Sequence, residues 1–140
     1  MASTAIVHTE LSYRVVGCAQ RVHAELGPGF PEAVYQKALG HELAKSQIPF
    51  QSQARFEVAY DGVLCGEFRV DVDVDDKVII EIKAVETLCR EHVAQLLAYL
   101  KASGRELGLF MNFGEASLRV QRLANTLGRR GPKQDPRHSP

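Results

Sequence analysis

The sequence has few cysteines, no tryptophan and no long hydrophobic run. Cys18, Cys65 and Cys89 are odd in number and far apart, without a CxxC pair. This argues against a disulfide framework or a zinc knuckle, and we expect three small core residues in a reducing compartment. No apolar segment approaches the roughly 20 residues of a membrane span, and no signal-peptide pattern is evident. We therefore expect a cytoplasmic protein without a membrane partner.

The chain also lacks an excess of charge of either sign. Lys and Arg total 17, Asp and Glu also total 17, and the formal net charge is zero. This balance argues against a broad basic surface for nucleic acid, so any such contact needs a local patch or a partner. The length of 140 residues suits one domain.

Apolar residues spaced three or four apart predict a first helix from about Ala5 to Leu26, which Gly27-Pro28-Gly29 ends. A second helix begins near Pro31 and ends before Ile48-Pro49, because a residue that precedes proline avoids the α region.

The apolar period then changes to two, which is typical of strands. Strands are predicted at 55–60, 68–74 and 78–83, and Asp61-Gly62 is a strong hairpin turn. The remaining predicted elements are a helix from about Leu88 to Ala102 with Thr87 as its N-cap, a strand from Leu107 to Phe113, and a strand or short helix at 117–123.

The predicted order is α-α-β-β-β-α-β-β, an α/β fold of the α+β kind with helices packed on a mixed sheet. We expect a single domain at 1–127. Residues 128–140 lack apolar periodicity and carry a net charge of +3, which predicts a disordered basic tail.

The register of the second predicted hairpin decides which side chains meet across it. A three-residue loop at 75–77 places Val72 opposite Ile80 and Val70 opposite Ile82, which makes one continuous apolar face. A two-residue loop would mix apolar and polar positions. The favoured register also sets Asp71 opposite Glu81 and Arg69 opposite Lys83.

Two carboxylates opposed in this way repel each other. A hard cation such as Mg²⁺ or Mn²⁺ would compensate, because these ions prefer oxygen ligands. Lys83 shares the strand face of Glu81 and could orient or deprotonate a water, or stabilise charge on a phosphate. The alternative is a solvated sheet face on which Asp71 and the Glu81-x-Lys83 pair have no catalytic role.

Four segments together resemble the GxxExxY protein family and RecB-like members of the PD-(D/E)xK nuclease superfamily. They are GFPEAVY at 29–35, RVDVDVDDKVIIEIKAVE at 69–86, AQLLAYL at 94–100 and GLFMNFG at 108–114. The resemblance covers about residues 8 to 125 and implies a restriction-endonuclease-like core. It implies a catalytic set of Glu32, Asp71, Glu81, Lys83, Gln95 and Tyr99.

The same resemblance implies that Asp71, Glu81 and the Ile82 carbonyl hold Mg²⁺ or Mn²⁺, with Glu32 joining directly or through water. Glu32 lies in the first turn of its predicted helix, where the helix dipole favours an anion, and complementing that dipole is an alternative role for it. His92, Gln95 and Tyr99 share one face of the third helix, which suggests a polar stripe along a cleft. The alternative is a partly exposed amphipathic helix, which is the favoured interpretation for His92.

Two functions follow as alternatives. The first is a metal-dependent nuclease that hydrolyses phosphodiester bonds of DNA or RNA, with DNA favoured. The second is a catalytically silent module of the same fold that binds nucleic acid or a protein partner. The resemblance is to a minimal core without a recognition domain, so a homodimer or a protein partner would supply recognition. A zinc hydrolase is disfavoured because HExxH and clustered Cys/His spacings are missing.

Overall fold

Three helices and five strands form residues 8–125, the part of the chain that this computed structural model describes. The predicted order α-α-β-β-β-α-β-β is confirmed. Residues 5–7 of the predicted first helix and the predicted tail at 128–140 lie outside the described residues. The elements are α1 (Thr9–Leu26), α2 (Glu32–Lys45), β1 (Phe50–Tyr60), β2 (Val63–Val74), β3 (Val78–Lys83), α3 (Arg90–Ser103), β4 (Leu107–Asn112) and β5 (Arg119–Ala124).

The five strands form one sheet in the order β1-β2-β3-β4-β5. The β1–β2, β2–β3 and β4–β5 pairs are antiparallel, and β3–β4 is parallel. Helix α3 provides the crossover that a parallel pair requires. The prediction of a mixed sheet is therefore confirmed. In residues 8–125 there is no helix with the length and apolar character needed to cross a membrane.

Two apolar clusters flank the sheet. The larger one joins α1 and α2 to the sheet, and in it the Tyr35 ring stacks on Phe113 at 4.7 Å between centroids. The smaller cluster includes Leu96 and Leu100 of α3. A Cβ at Gly108 of β4 would lie 3.0 Å from Leu100, so α3 packs closely on the centre of the sheet.

The alternation of β2 inverts at Asp71. Val72 and Ile82 belong to the larger cluster, whereas Val70 packs in the smaller one. The predicted continuous apolar face is therefore wrong at Val70. The β2–β3 ladder pairs residues 72–74 with 78–80 and goes no further. Arg69 consequently does not pair with Lys83 and lies opposite Arg55 of β1 instead.

Several predicted boundaries shift. Strand β2 begins at Val63, because the hairpin extends as a two-stranded arm that its own ladder holds. Strand β1 begins at Phe50, because its first residues pair with the end of β2 that also pairs with β3. Much of this arm is exposed, so burial leaves no period-two signal in it. The N-cap of α3 is Cys89 rather than Thr87, and the last predicted segment is a strand. Of the three cysteines only Cys18 is buried, so the expectation of core thiols is wrong for the other two.

Candidate active site

The site lies where β2 and β3 separate. The ladder ends at the Val72–Ile80 pair, and the next two residues are joined through carboxylates. The Asp71 backbone N–H donates to Glu81 Oε2 at 3.0 Å, and the Ile82 N–H donates to Asp71 Oδ2 at 2.7 Å. Each carboxylate therefore accepts a backbone amide of the opposite strand, which holds the two acidic groups together at one point of the sheet.

The Ile82 carbonyl has the same direction as its N–H. In a strand the N–H and C=O of one residue point to the same side, and the Ile82 N–H points to Asp71. The Lys83 carbonyl accepts from the Phe113 N–H at 2.8 Å, on the β4 side. The gap between β2 and β3 is thus lined by carboxylate and carbonyl oxygens, the ligand chemistry of a hard divalent cation.

Burial and crowding shift the proton equilibria of both carboxyls. The Glu81 side chain is only 7% exposed. Loss of hydration and the charge of Asp71 raise the pKa of Glu81 to about 8, against the smaller effects of the Asp71 amide and Lys83. Burial also raises the pKa of Asp71. Two acids that resist ionisation beside each other are typical of functional sites.

Glu32 and Lys83 act on this pair from nearby without bonding to it. The charge of Glu32 raises the pKa of both carboxyls, and that of Lys83 lowers it. Within residues 8–125, neither side chain has an ion pair. The same residues contain no group of three His, Cys, Asp or Glu side chains close enough to hold a metal ion. Asp71 and Glu81 are therefore paired, and Glu32 remains outside direct contact.

Helix α3 contributes Tyr99 more clearly than Gln95. The Tyr99 ring stacks on Phe68 at 4.2 Å, and its pKa is raised by burial and by the charges of Glu81 and Asp71. Gln95 is exposed, and its side chain makes no hydrogen bond to the described part of the chain. His92 accepts the Cys89 N–H at 3.4 Å through Nδ1, which makes it part of the helix cap.

Asn112 supports the site in a way that the sequence analysis missed. Its side-chain oxygen accepts the Val85 N–H at 3.0 Å, and its Nδ2 donates to the Val85 carbonyl at 2.9 Å. Because Asn112 also pairs with Lys83 in the parallel ladder, it holds the chain directly after the lysine. The polar Asn112 at the end of an apolar strand, followed by Phe113 and Gly114, was the feature of the sequence that could have indicated this role.

A buried and a half-buried acid paired at a strand separation, a lysine two residues along β3 and a helix-flanked mixed sheet together define a nuclease-type core. Residues 9–123 match the PD-(D/E)XK nuclease superfamily. The chain therefore belongs to this superfamily.

A solved structure supports the fold. The crystal structure of SSO0001 matches with a TM-score of 0.55 and 17% sequence identity. The match covers 66% of this chain and 48% of the SSO0001 chain, so this chain corresponds to about half of that protein. No curated protein matches the sequence.

Proposed function

We propose that the protein is a Mg²⁺- or Mn²⁺-dependent nuclease that hydrolyses phosphodiester bonds of DNA or RNA, with DNA as the favoured substrate. The observation that carries the proposal is the pair of carboxyls at the separation of β2 and β3, the buried Glu81 and the half-buried Asp71. Such a pair is costly to ionise alone, and an oxygen-binding cation would offset that cost.

The donor set fits such an ion. Asp71, Glu81 and the Ile82 carbonyl would hold it, and Glu32 would join directly or through a water. When bound, the ion supplies Lewis-acid activation of the phosphate and a water of lowered pKa. Each carboxylate accepts a backbone amide through one oxygen. Because an ionised carboxylate has about four lone-pair sites, each can bind a cation while it keeps that amide.

The positive charge of Lys83 acts on the pair of Asp71 and Glu81. Its ammonium has no ion-pair partner in residues 8–125. It would orient the attacking water or stabilise charge on the phosphate oxygens. Tyr99, held by its stack on Phe68, and Gln95, exposed on the same helix, would contact the substrate strand.

The motif order supports a finer placement within the superfamily, as a GxxExxY protein with RecB-like helix motifs. It also supports a single nuclease-like domain at 1–127 with a basic tail at 128–140. The balanced charge of the chain supports a homodimer or a protein partner that completes substrate recognition. Cytoplasmic localisation belongs to the same proposal.

A catalytically silent module is the second candidate. The observation that favours it is that each carboxylate already has a structural use, since each accepts a backbone N–H of the opposite strand. In such a protein Asp71 and Glu81 would only satisfy the backbone N–H groups where β2 and β3 separate, and the fold would serve for binding alone.

A cleavage assay separates the two candidates. The purified protein is incubated with single-stranded, duplex and branched DNA and with RNA, in Mg²⁺, Mn²⁺ or EDTA. The nuclease proposal predicts cleavage that requires the metal and that falls at least about 100-fold in Lys83→Ala, the scale of a lost charge-stabilising group. Retained binding without cleavage in every condition, or equal cleavage by Lys83→Ala, would favour the silent module or a contaminant.

A further inference from the structure

Gln53 has an unusual backbone for a strand residue. Its φ is 52°, in the left-handed region that side chains with a Cβ rarely adopt. The β1–β2 ladder pairs Ser52 with Val72 and Ala54 with Val70, and it omits the pair between Gln53 and Asp71. Strained backbone of this kind persists where the surroundings require it, and it is concentrated at functional sites.

The side chain of Gln53 shows what this backbone achieves. Its Nε2 donates to Gln36 Oε1 at 3.0 Å and to Asp71 Oδ1 at 3.4 Å. A primary amide has two N–H groups, so one side chain can serve both acceptors. The other oxygen of Asp71 accepts the Ile82 N–H. Both oxygens of this carboxylate are therefore held, one from β1 and one from β3.

Gln36 anchors the arrangement to the second helix. It lies one turn after Glu32 in α2, so the two amides connect the helix that bears Glu32 to the strand that bears Asp71. The resulting path runs from α2 through Gln36 and Gln53 to Asp71.

We infer that Gln53 is a positioning residue that fixes the orientation of the Asp71 carboxylate. The consequence for metal binding rests on the proposed function, whereas the orientation itself does not. Partners that orient a metal ligand typically change metal affinity by about 10- to 100-fold when they are removed.

Gln53→Gly tests this role because glycine accepts the left-handed backbone while the amide is lost. The melting temperature should stay equal or rise. In EDTA, the Ile82 amide signal should shift in a ¹H–¹⁵N spectrum and exchange faster with D₂O, since its acceptor is no longer fixed. The Mn²⁺ dissociation constant, measured by calorimetry, should rise about 10-fold or more.

Gln51→Gly is the matched control. Gln51 is exposed on the same strand, lies in the regular ladder opposite Asp73, and makes no side-chain hydrogen bond within residues 8–125. Glycine here should lower the melting temperature and leave the Ile82 signal and the Mn²⁺ affinity unchanged. Gln53→Asn repeats the test with a residue that tolerates the left-handed region but has a shorter side chain.

The two readouts fail separately. An Ile82 signal that stays as in wild type in both Gln53 variants overturns the inference, and so does an unchanged affinity in a protein that binds Mn²⁺. A wild type without Mn²⁺ binding contradicts the proposed function instead. In that case the Ile82 signal in EDTA still decides the role of Gln53, and a shift there supports it.

Discussion

Glu81 is a carboxyl that the fold keeps away from water and beside a second acid. Its pKa of about 8 in the folded chain lies above the ordinary value of 4.5, because burial and the charge of Asp71 disfavour ionisation. A raised folded-state pKa stabilises the fold fully below the unfolded pKa, and this contribution is lost as pH rises through the folded value. In EDTA, the free energy of unfolding should therefore fall between about pH 4.5 and 8, on the order of a few kcal/mol.

Glu81→Gln isolates this effect from other titrating groups. The amide oxygen can still accept the Asp71 N–H, but the group no longer ionises. Urea unfolding across this pH range in EDTA should give a smaller decline in stability for the variant than for wild type. Equal slopes for the two proteins would mean that Glu81 is ionised in the fold at neutral pH.

Asp71→Asn should stabilise the metal-free protein while it weakens metal binding. The neutral side chain avoids the burial cost of a charge and relieves repulsion of about 1 kcal/mol, and its oxygen can still accept the Ile82 N–H. A hard cation meanwhile loses an anionic ligand. Thermal melts with and without excess Mn²⁺ should show a large metal shift in wild type and a small one in the variant. A lower melting temperature with equal metal shifts would make Asp71 a structural residue.

At the residue scale, the alternating pattern predicts the pairing of Asp71 with Glu81, because only one hairpin register keeps Val72 and Ile80 together. It does not predict that each carboxylate accepts a backbone N–H of the opposite strand in place of a regular ladder pair. Gln53 could not be identified as a positioning residue from the sequence. Its role depends on a left-handed backbone, and no glycine or other turn residue in the sequence indicates that conformation.

At the scale of elements, the segment after β3 is held against the end of β4. A Cβ at Gly114 would lie 2.5 Å from both the backbone N and O of Val85, so the two segments could not keep their present distance. Gly114→Ala should lower the free energy of unfolding by about 1–3 kcal/mol, the usual cost of overpacking. Because Val85 follows Lys83 by two residues, metal-dependent cleavage should fall as well.

Gly66→Ala provides the control for this substitution. A Cβ at Gly66 would meet nothing within 4 Å, and the residue lies in the exposed arm. Urea denaturation should show little change for Gly66→Ala. Equal stability losses in the two variants would indicate that the contact between Gly114 and Val85 does not constrain the fold.

The elements were predictable where one face is buried. Strand β3, Val78–Lys83, has its predicted bounds because apolar side chains fill almost all of it. In the arm, β2 was predicted too short, since its outer residues gain little burial and rely on backbone pairing. The inversion of the β2 alternation at Asp71 was also missed, because no turn residue in the sequence marks it.

At the scale of the whole molecule, the superfamily match spans residues 9–123, and the predicted tail at 128–140 lies beyond it. The tail carries a net charge of +3 in a chain of zero net charge. Deleting 128–140 should leave the melting temperature nearly unchanged and flatten the salt dependence of nucleic-acid affinity, because fewer counterions are released. Calorimetry measures the melting temperature, and a salt titration of binding measures the salt dependence of the affinity. A large loss of stability would show that the tail contributes to the fold.

The metal site itself is tested most directly by anomalous diffraction from crystals soaked in Mn²⁺. One strong peak is expected between β2 and β3, within about 2.0–2.3 Å of oxygens of Asp71, Glu81 and the Ile82 carbonyl, by the usual distances for hard cations. The same soak of Asp71→Asn crystals should lose the peak. If wild type at saturating Mn²⁺ shows no peak, or a peak elsewhere, then Asp71 and Glu81 do not form a metal site.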